Sequence, residues 1–271
     1  MKRQQIAALL LVLLGTANAA EPDVRFLQSL GDIRYHPVHA EEVERDFHVY
    51  VRLPEGYAES DDEYPTLYVL DGGELLPMFA SYYRYLNFGE EVPDMIIVGI
   101  AYGSDDFEGG NFRSTDYTAP SAEREYWGGA GGFQAFLEAQ LFPLVEGEYR
   151  SRQSRRIVFG HSIGGQFVLY TAMTKPKLFW GHVASNPALH RNLEFFLEEQ
   201  ADYSGPAQTR LFVASGTNDD PRFREPALQW AAHWTDRDVP WRWQFVDLDG
   251  HSHMSAPPAA FRQGLGWLFV D

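Results

Sequence analysis

Apolar residues along the chain fall into short runs and alternations separated by breaks rich in glycine, proline and acidic residues. Val43, Arg45, Phe47, Val49, Val51 and Leu53 alternate with Glu44, Asp46, His48, Tyr50 and Arg52, the period-two pattern of an edge or antiparallel strand. Pro54 to Tyr57 ends it, and Glu59 to Glu63 reads as a solvated loop. Pro65 to Leu70, Met95 to Ile100, Arg156 to Phe159, Gly181 to Ser185 and Arg210 to Ser215 are mostly continuous apolar runs, the mark of strands buried on both faces. Trp241 to Val246 alternates again. Between these runs lie helical patterns over Phe133 to Glu148, interrupted at Pro143, and over Gln166 to Met173, Asn192 to Gln200, Glu225 to Trp234 and Pro258 to Phe269. Strands alternating with helices at this spacing specify an α/β fold, with a mostly parallel central sheet covered by helices on both faces.

The strand ending at Phe159 and the helix starting near Gln166 are joined by Gly160-His161-Ser162-Ile163-Gly164. This is a G-x-S-x-G turn, tight enough to strain the serine backbone and lift its hydroxyl clear of the sheet. Glycine two residues to either side is expected because a Cβ there would strike the neighbouring strand or helix. The Ile163 amide and the positive end of the helix then lie under the serine, where an oxyanion would form. A second strand, Pro65 to Leu70, runs straight into Asp71-Gly72-Gly73. A glycine pair there turns backbone amides into a cleft and can supply a second oxyanion donor; an ordinary tight turn would use the same residues. The long polar loop that follows Met95 to Ile100 and runs through Arg113 to Pro120 has the length of a segment that covers or lines a site.

Residues 1–20 carry Lys2 and Arg3, the apolar run Ile6 to Leu14, and Ala17-Asn18-Ala19, which together read as a cleavable secretory signal. The apolar stretch is too short to span a bilayer, so it does not read as an anchor. No cysteine is present, which excludes a disulfide framework and lipid attachment at cysteine. A periplasmic or secreted protein follows, and residues 21–271 read as a single domain, since no linker or repeat divides them. The formal charge of -16 becomes more negative by two when Lys2 and Arg3 leave. Such acidity repels nucleic acid and anionic lipid surfaces and admits a neutral small molecule more easily than a multiply anionic one.

A serine hydroxyl is a poor nucleophile near neutral pH unless a base takes its proton, and the base must be held in one tautomer by a carboxylate. In α/β-hydrolases the chain order is serine, acid, histidine, each at the carboxyl end of a strand. Ser162, Asp219 and His253 satisfy both conditions. The base is His251 or His253, which are too close in sequence both to face the serine. For the acid, Asp219 lies three residues beyond Gly216 at a strand end, with Asp220 beside it and Asp249 further off. The two histidines with Asp247 or Asp249 could also be metal ligands, but no third ligand is spaced to support zinc. No metal and no cofactor are called for. Trp127, Tyr126, Phe107 and Phe112 are candidates to line a pocket, and Arg113 and His161 are further candidate substrate contacts.

Tyr64 to Gly72, Arg113 to Pro120, Phe136 to Tyr149, Gly160 to Gly165, and His253-Met254-Ser255 with Pro258 to Phe269 together resemble the "Putative esterase" family of α/β-hydrolases. That group includes enterochelin-esterase-like and S-formylglutathione-hydrolase-like enzymes. The resemblance implies the α/β-hydrolase fold and carboxylic-ester hydrolysis through an acyl-enzyme, on a small-molecule ester such as a siderophore. It selects His253 as base, because the family histidine is followed by serine two residues later and proline five later, here Ser255 and Pro258. It also implies oxyanion donors from Ile163 and from Gly72 and Gly73. Where many relatives carry a serine, proline and aromatic run after the strand following the elbow, this chain has Ser185-Asn186-Pro187-Ala188-Leu189-His190. Some relatives work with a Ser-His dyad, and the same machinery can serve acyl transfer or thioester cleavage. A ferric tris-catecholate would need more basic residues near the cleft than the sequence locates.

Overall fold

The structure, a computed structural model, describes residues 27–198 and 209–270. The expected secretory signal over residues 1–20 and the end of the helix expected over Asn192 to Gln200 lie outside the described residues. In chain order the elements are β1 (Asp32–Ala40), β2 (Arg45–Leu53), β3 (Tyr64–Val69), α1 (Gly72–Phe88), β4 (Ile96–Ala101), α2 (Arg113–Asp116) and α3 (Ala130–Phe136). There follow α4 (Phe142–Glu148), β5 (Ser151–His161), α5 (Ile163–Thr174), β6 (Gly181–Ser185), α6 (Leu193–Leu197), β7 (Thr209–Gly216), α7 (Pro221–Trp234), β8 (Trp241–Leu248) and α8 (Ala256–Phe269).

One eight-stranded sheet runs in the order β1-β2-β4-β3-β5-β6-β7-β8. β2 is antiparallel to both β1 and β4, and the pairings from β4 through β8 are parallel. Every residue of β3 and β4 is buried, because helices cover both faces there. Alternation along β3 sends Leu67 and Val69 to one face, with Phe79 of α1 and Phe261 of α8, and Tyr68 to the other, with Phe133, Phe136, Phe142 and Phe167. The chain leaves β3 toward β4 on one side and returns from β4 to β5 on the other. In open α/β sheets such a reversal opens a crevice beyond the carboxyl ends of the strands.

Besides α1, which the sequence reading does not assign, and α2, where it expects loop, two further elements differ from the sequence expectation. β1 does not read as a strand because polar residues and Pro37 break its pattern, yet it forms the edge of the sheet, where strands are polar and short of apolar partners. The helical run over 133–148 is not broken at Pro143; it passes through a wide π-turn at Leu137–Leu141, with the Phe142 amide bonded to the Leu137 carbonyl. Widening the turn relieves the clash of the proline ring with the carbonyl four residues back.

Candidate active site

Three neighbouring strands of the sheet, β3, β5 and β6, each lead into a residue other than glycine with positive φ: Asp71 (53°), Ser162 (58°) and Asn186 (44°). Such backbones persist only where the surroundings over-determine them. Ser162 is pinned on both sides. Its amide donates to the Ser185 carbonyl at 3.0 Å, and its own carbonyl accepts from Gln166 and Ala188, each at 3.0 Å. A Cβ on Gly160 would lie 2.2 Å from the Gly164 carbonyl oxygen, so glycine is obligatory there. The same expectation for Gly164 is corrected: a Cβ there would make ordinary contacts, at 3.4 Å from Asp71 and 3.5 Å from Leu70, so strand and helix do not exclude one.

His253, in the turn before α8, faces the serine: Nε2 lies 2.9 Å from Ser162 Oγ, and Nδ1 lies 2.9 Å from Asp219 Oδ2. An ionised carboxylate only accepts, so Nδ1 carries the proton and Nε2 is left to accept from the serine hydroxyl. The Asp219 carboxylate is fully buried, and its Oδ1 accepts the Asp220 amide at 2.7 Å. Asp220 points elsewhere, capping α7 by accepting the Arg222 amide at 2.9 Å. Asp249 lies near Thr217 Oγ1, at 3.4 Å. His251 also stays away from the serine, its Nδ1 donating to the Ser255 carbonyl at 2.9 Å. Ser255 Oγ accepts the Ser252 amide at 2.9 Å, which ties up the loop that carries His253. The two loops are joined by the Asn218 amide donating to the His251 carbonyl at 2.9 Å.

Beside the elbow sits the turn after β3. Gly72 starts α1 so close to β4 that a Cβ would lie 2.4 Å from the Ile100 nitrogen. Gly72, Gly73 and Ile163 occupy first-turn positions of α1 and α5, where backbone N–H groups have no carbonyl within the helix. Arg113 grips Asp71 with two bonds, Nε to Oδ1 at 2.8 Å and a terminal nitrogen to Oδ2 at 2.9 Å. Burial works against the guanidinium charge, yet the Asp71 carboxylate holds its pKa above the ordinary arginine value. Arg113 thus braces the turn.

His161 lies with its ring centre 4.7 Å from that of His253 and its Nδ1 3.2 Å from Ser185 Oγ. Burial, helped by His253 and Arg113, pushes its pKa down to about 3, so it is neutral. Phe223 stacks on His253 at 4.3 Å and 23°, Arg222 lies 4.5 Å from the Phe223 ring centre, and His190 meets the Phe223 edge at 5.0 Å. Burial and the charges of Arg191 and Arg222 lower the pKa of His190. Of the aromatics named as pocket candidates, Phe107 and Phe112 pair at 4.7 Å, Arg45 covers Phe112, and Tyr126 and Trp127 occupy the loop before α3. Phe223, His190 and Asn186 escape the sequence reading because only long-range contacts bring them to His253 and Asp219. Among the described residues, no group of three or more His, Cys, Asp or Glu could hold a metal ion, and no helix is long and apolar enough to cross a membrane.

The sheet order and the strand-to-helix turns define an α/β-hydrolase fold. The chain belongs to the "Putative esterase" family, whose profile matches residues 40–262. It is 32% identical over 170 residues to the ferri-bacillibactin esterase BesA of Bacillus subtilis, covering 57% of this chain and 58% of that protein. It is 28% identical over 197 residues to the apo-salmochelin esterase of Escherichia coli O6:H1, covering 66% and 60%. The chain therefore spans about three-fifths of the length of these two relatives. Among solved structures it resembles the BES protein from Bacillus cereus, with a TM-score of 0.75 over 89% of this chain and 97% of that one, at 21% identity.

Proposed function

We propose that the protein is an exported serine esterase that cleaves a siderophore-type carboxylic ester by a Ser162-His253-Asp219 acyl-enzyme mechanism. The observation that carries this is the pair of 2.9 Å contacts that put His253 between Ser162 and Asp219. His253 takes the Ser162 proton as Oγ attacks the ester carbonyl, while Asp219 holds the imidazole and stabilises its charged form. Amides of Ile163 and of Gly72 and Gly73 stabilise the oxyanion at the mouth of two helices. His253 then gives the proton to the departing alcohol, and water repeats the cycle on the acyl-serine.

Two observations favour a siderophore-type ester. The relatives named above are esterases of ferri-bacillibactin and apo-salmochelin. In addition, the rings of Phe223 and His190 stand beside His253 with the Arg222 guanidinium over Phe223, while the neighbouring Arg191 is paired with Glu123. Arg222 supplies local positive charge which the sequence order hides. Export rests on the N-terminal signal pattern.

The test is hydrolysis by purified protein of a panel comprising catecholate triester siderophores, simple aryl esters, thioesters and acyl esters of graded length, with and without an added alcohol. Expected are free acid and alcohol from the catecholate esters, abolished by Ser162→Ala. Ester accumulation with the added alcohol would make it an acyltransferase. No turnover of any member, together with no labelling of Ser162 by a fluorophosphonate, would leave a binding protein on a hydrolase fold.

A further inference from the structure

The carboxylate beside His253 is held from a second direction. Asp219 Oδ2, the oxygen that faces His253, also receives Asn186 Nδ2, at 2.5 Å. Because the carboxylate only accepts, the asparagine amide is oriented: nitrogen on Asp219, oxygen turned toward Ser185, whose hydroxyl reaches it at 3.5 Å. Ser185 Oγ lies 3.2 Å from His161 Nδ1, and His161 is the residue before Ser162. The contacts close a ring through Ser162, His253, Asp219, Asn186, Ser185 and His161.

Asn186 is buried, at 1% exposure, and its backbone N–H donates to the Ala214 carbonyl of β7 at 2.7 Å. Its φ of 44° is one that glycine adopts at no steric cost. Asparagine tolerates it better than other side chains do, but the backbone alone gives no reason to prefer asparagine to glycine. The bond to Asp219 gives that reason.

We propose that Asn186 is a positioning residue for the hydrolysis, acting through Asp219. Its amide fixes the plane of the carboxylate that meets His253 and takes a share of the acceptor capacity of Oδ2. It thereby tempers how strongly the imidazolium is stabilised when the serine proton arrives. The inference rests on the serine-esterase reading above. The charged and titratable groups around this pair are His161 on β5, His190 after β6, Arg222 and Arg224 on α7, Asp247 of β8 against Arg224, Asp220 beside Asp219, and Arg113 behind His161. All of them remain when only residue 186 is changed.

Asn186→Gly keeps the turn and removes the amide. Its kcat should fall about tenfold through loss of alignment, with KM within about twofold. The acid limb of kcat/KM should move up by about half to one pH unit, because Oδ2 then serves His253 alone. The pH dependence of fluorophosphonate labelling should move with it. Thermal unfolding reports whether the variant is folded; if it is not, Asn186→Ser, shorter but polar, takes the same measurements. A folded variant with native kcat and an unmoved acid limb, or one changed in KM alone, overturns the inference. Labelling or hydrolysis that survives Ser162→Ala would instead overturn the underlying esterase reading, so the two failures are distinguishable.

Discussion

The turns that follow β3 and β5 share a positive φ but differ in ψ, 41° at Asp71 and -116° at Ser162, and are opposites in chemistry. Each joins a buried parallel strand to the start of a helix through a residue other than glycine with φ between 50° and 60°, Asp71 in one and Ser162 in the other. Asp71 has both oxygens bound by Arg113, so its charge is neutralised in place. Ser162 has a single side-chain partner of a different kind, an imidazole that can take its proton. Strained geometry therefore displays a side chain, and the partner decides whether the display is structural or reactive. In the proposed mechanism the first turn contributes backbone amides and the second contributes the nucleophile.

Substitutions should separate the two. Ser162→Ala should lower ester turnover by about a thousandfold or more while leaving the unfolding midpoint unchanged, and a rate within tenfold of native would erase the distinction. Asp219→Asn should reduce kcat by about two to four orders of magnitude with KM nearly constant, because the imidazole loses the acceptor that sets its tautomer. Steady-state kinetics on one chromogenic ester checks both. Arg113→Met should act the other way, removing about 2 kcal/mol of stability by leaving Asp71 without its charged donor. Its effect on turnover should be smaller than that of Asp219→Asn. Urea unfolding measures the loss, and no change would mean that the β3 turn is not braced by the pair.

The smallest effect concerns acid. The folded-state pKa of His161, about 3, lies below the unfolded imidazole value of about 6.5. Below pH 6.5 the unfolded chain binds a proton that the folded chain excludes, so stability falls as pH is lowered from there toward about 3. His182, fully buried on β6 with a pKa lowered by burial to about 4, adds to the same slope. His161→Gln should flatten the loss by at most about 1 kcal/mol between pH 6.5 and 5.5, read from unfolding at the two pH values.

The buried central strands could be read from the sequence because a strand covered on both faces leaves a continuous apolar run, as in Pro65 to Leu70. β1 could not, since an edge strand answers to water and its pairing partner more than to a core. The elbow was legible because Gly160 is sterically fixed. His251 and His253 were indistinguishable by residue alone, and only the resemblance chose between them. Asn186-Pro187 reads as an ordinary turn because its bond to Asp219 spans 33 residues. Phe223 and His190 were hidden for the same reason: no local pattern records a stack across the top of a sheet.

The π-turn at Leu137–Leu141 has a consequence at some distance. An extra residue in one turn of a helix is in effect a rotation of about 100° for everything after it. Here that rotation brings Phe142 round to Tyr68 of β3 and to Phe179, with ring centres 5.0 and 5.4 Å apart. Deleting one residue from the turn would swing Phe142 off the floor of β3, the strand whose far end leads into Asp71 and Gly72, so the angular phase of a helix on one face governs the footing of a loop at the top of the sheet.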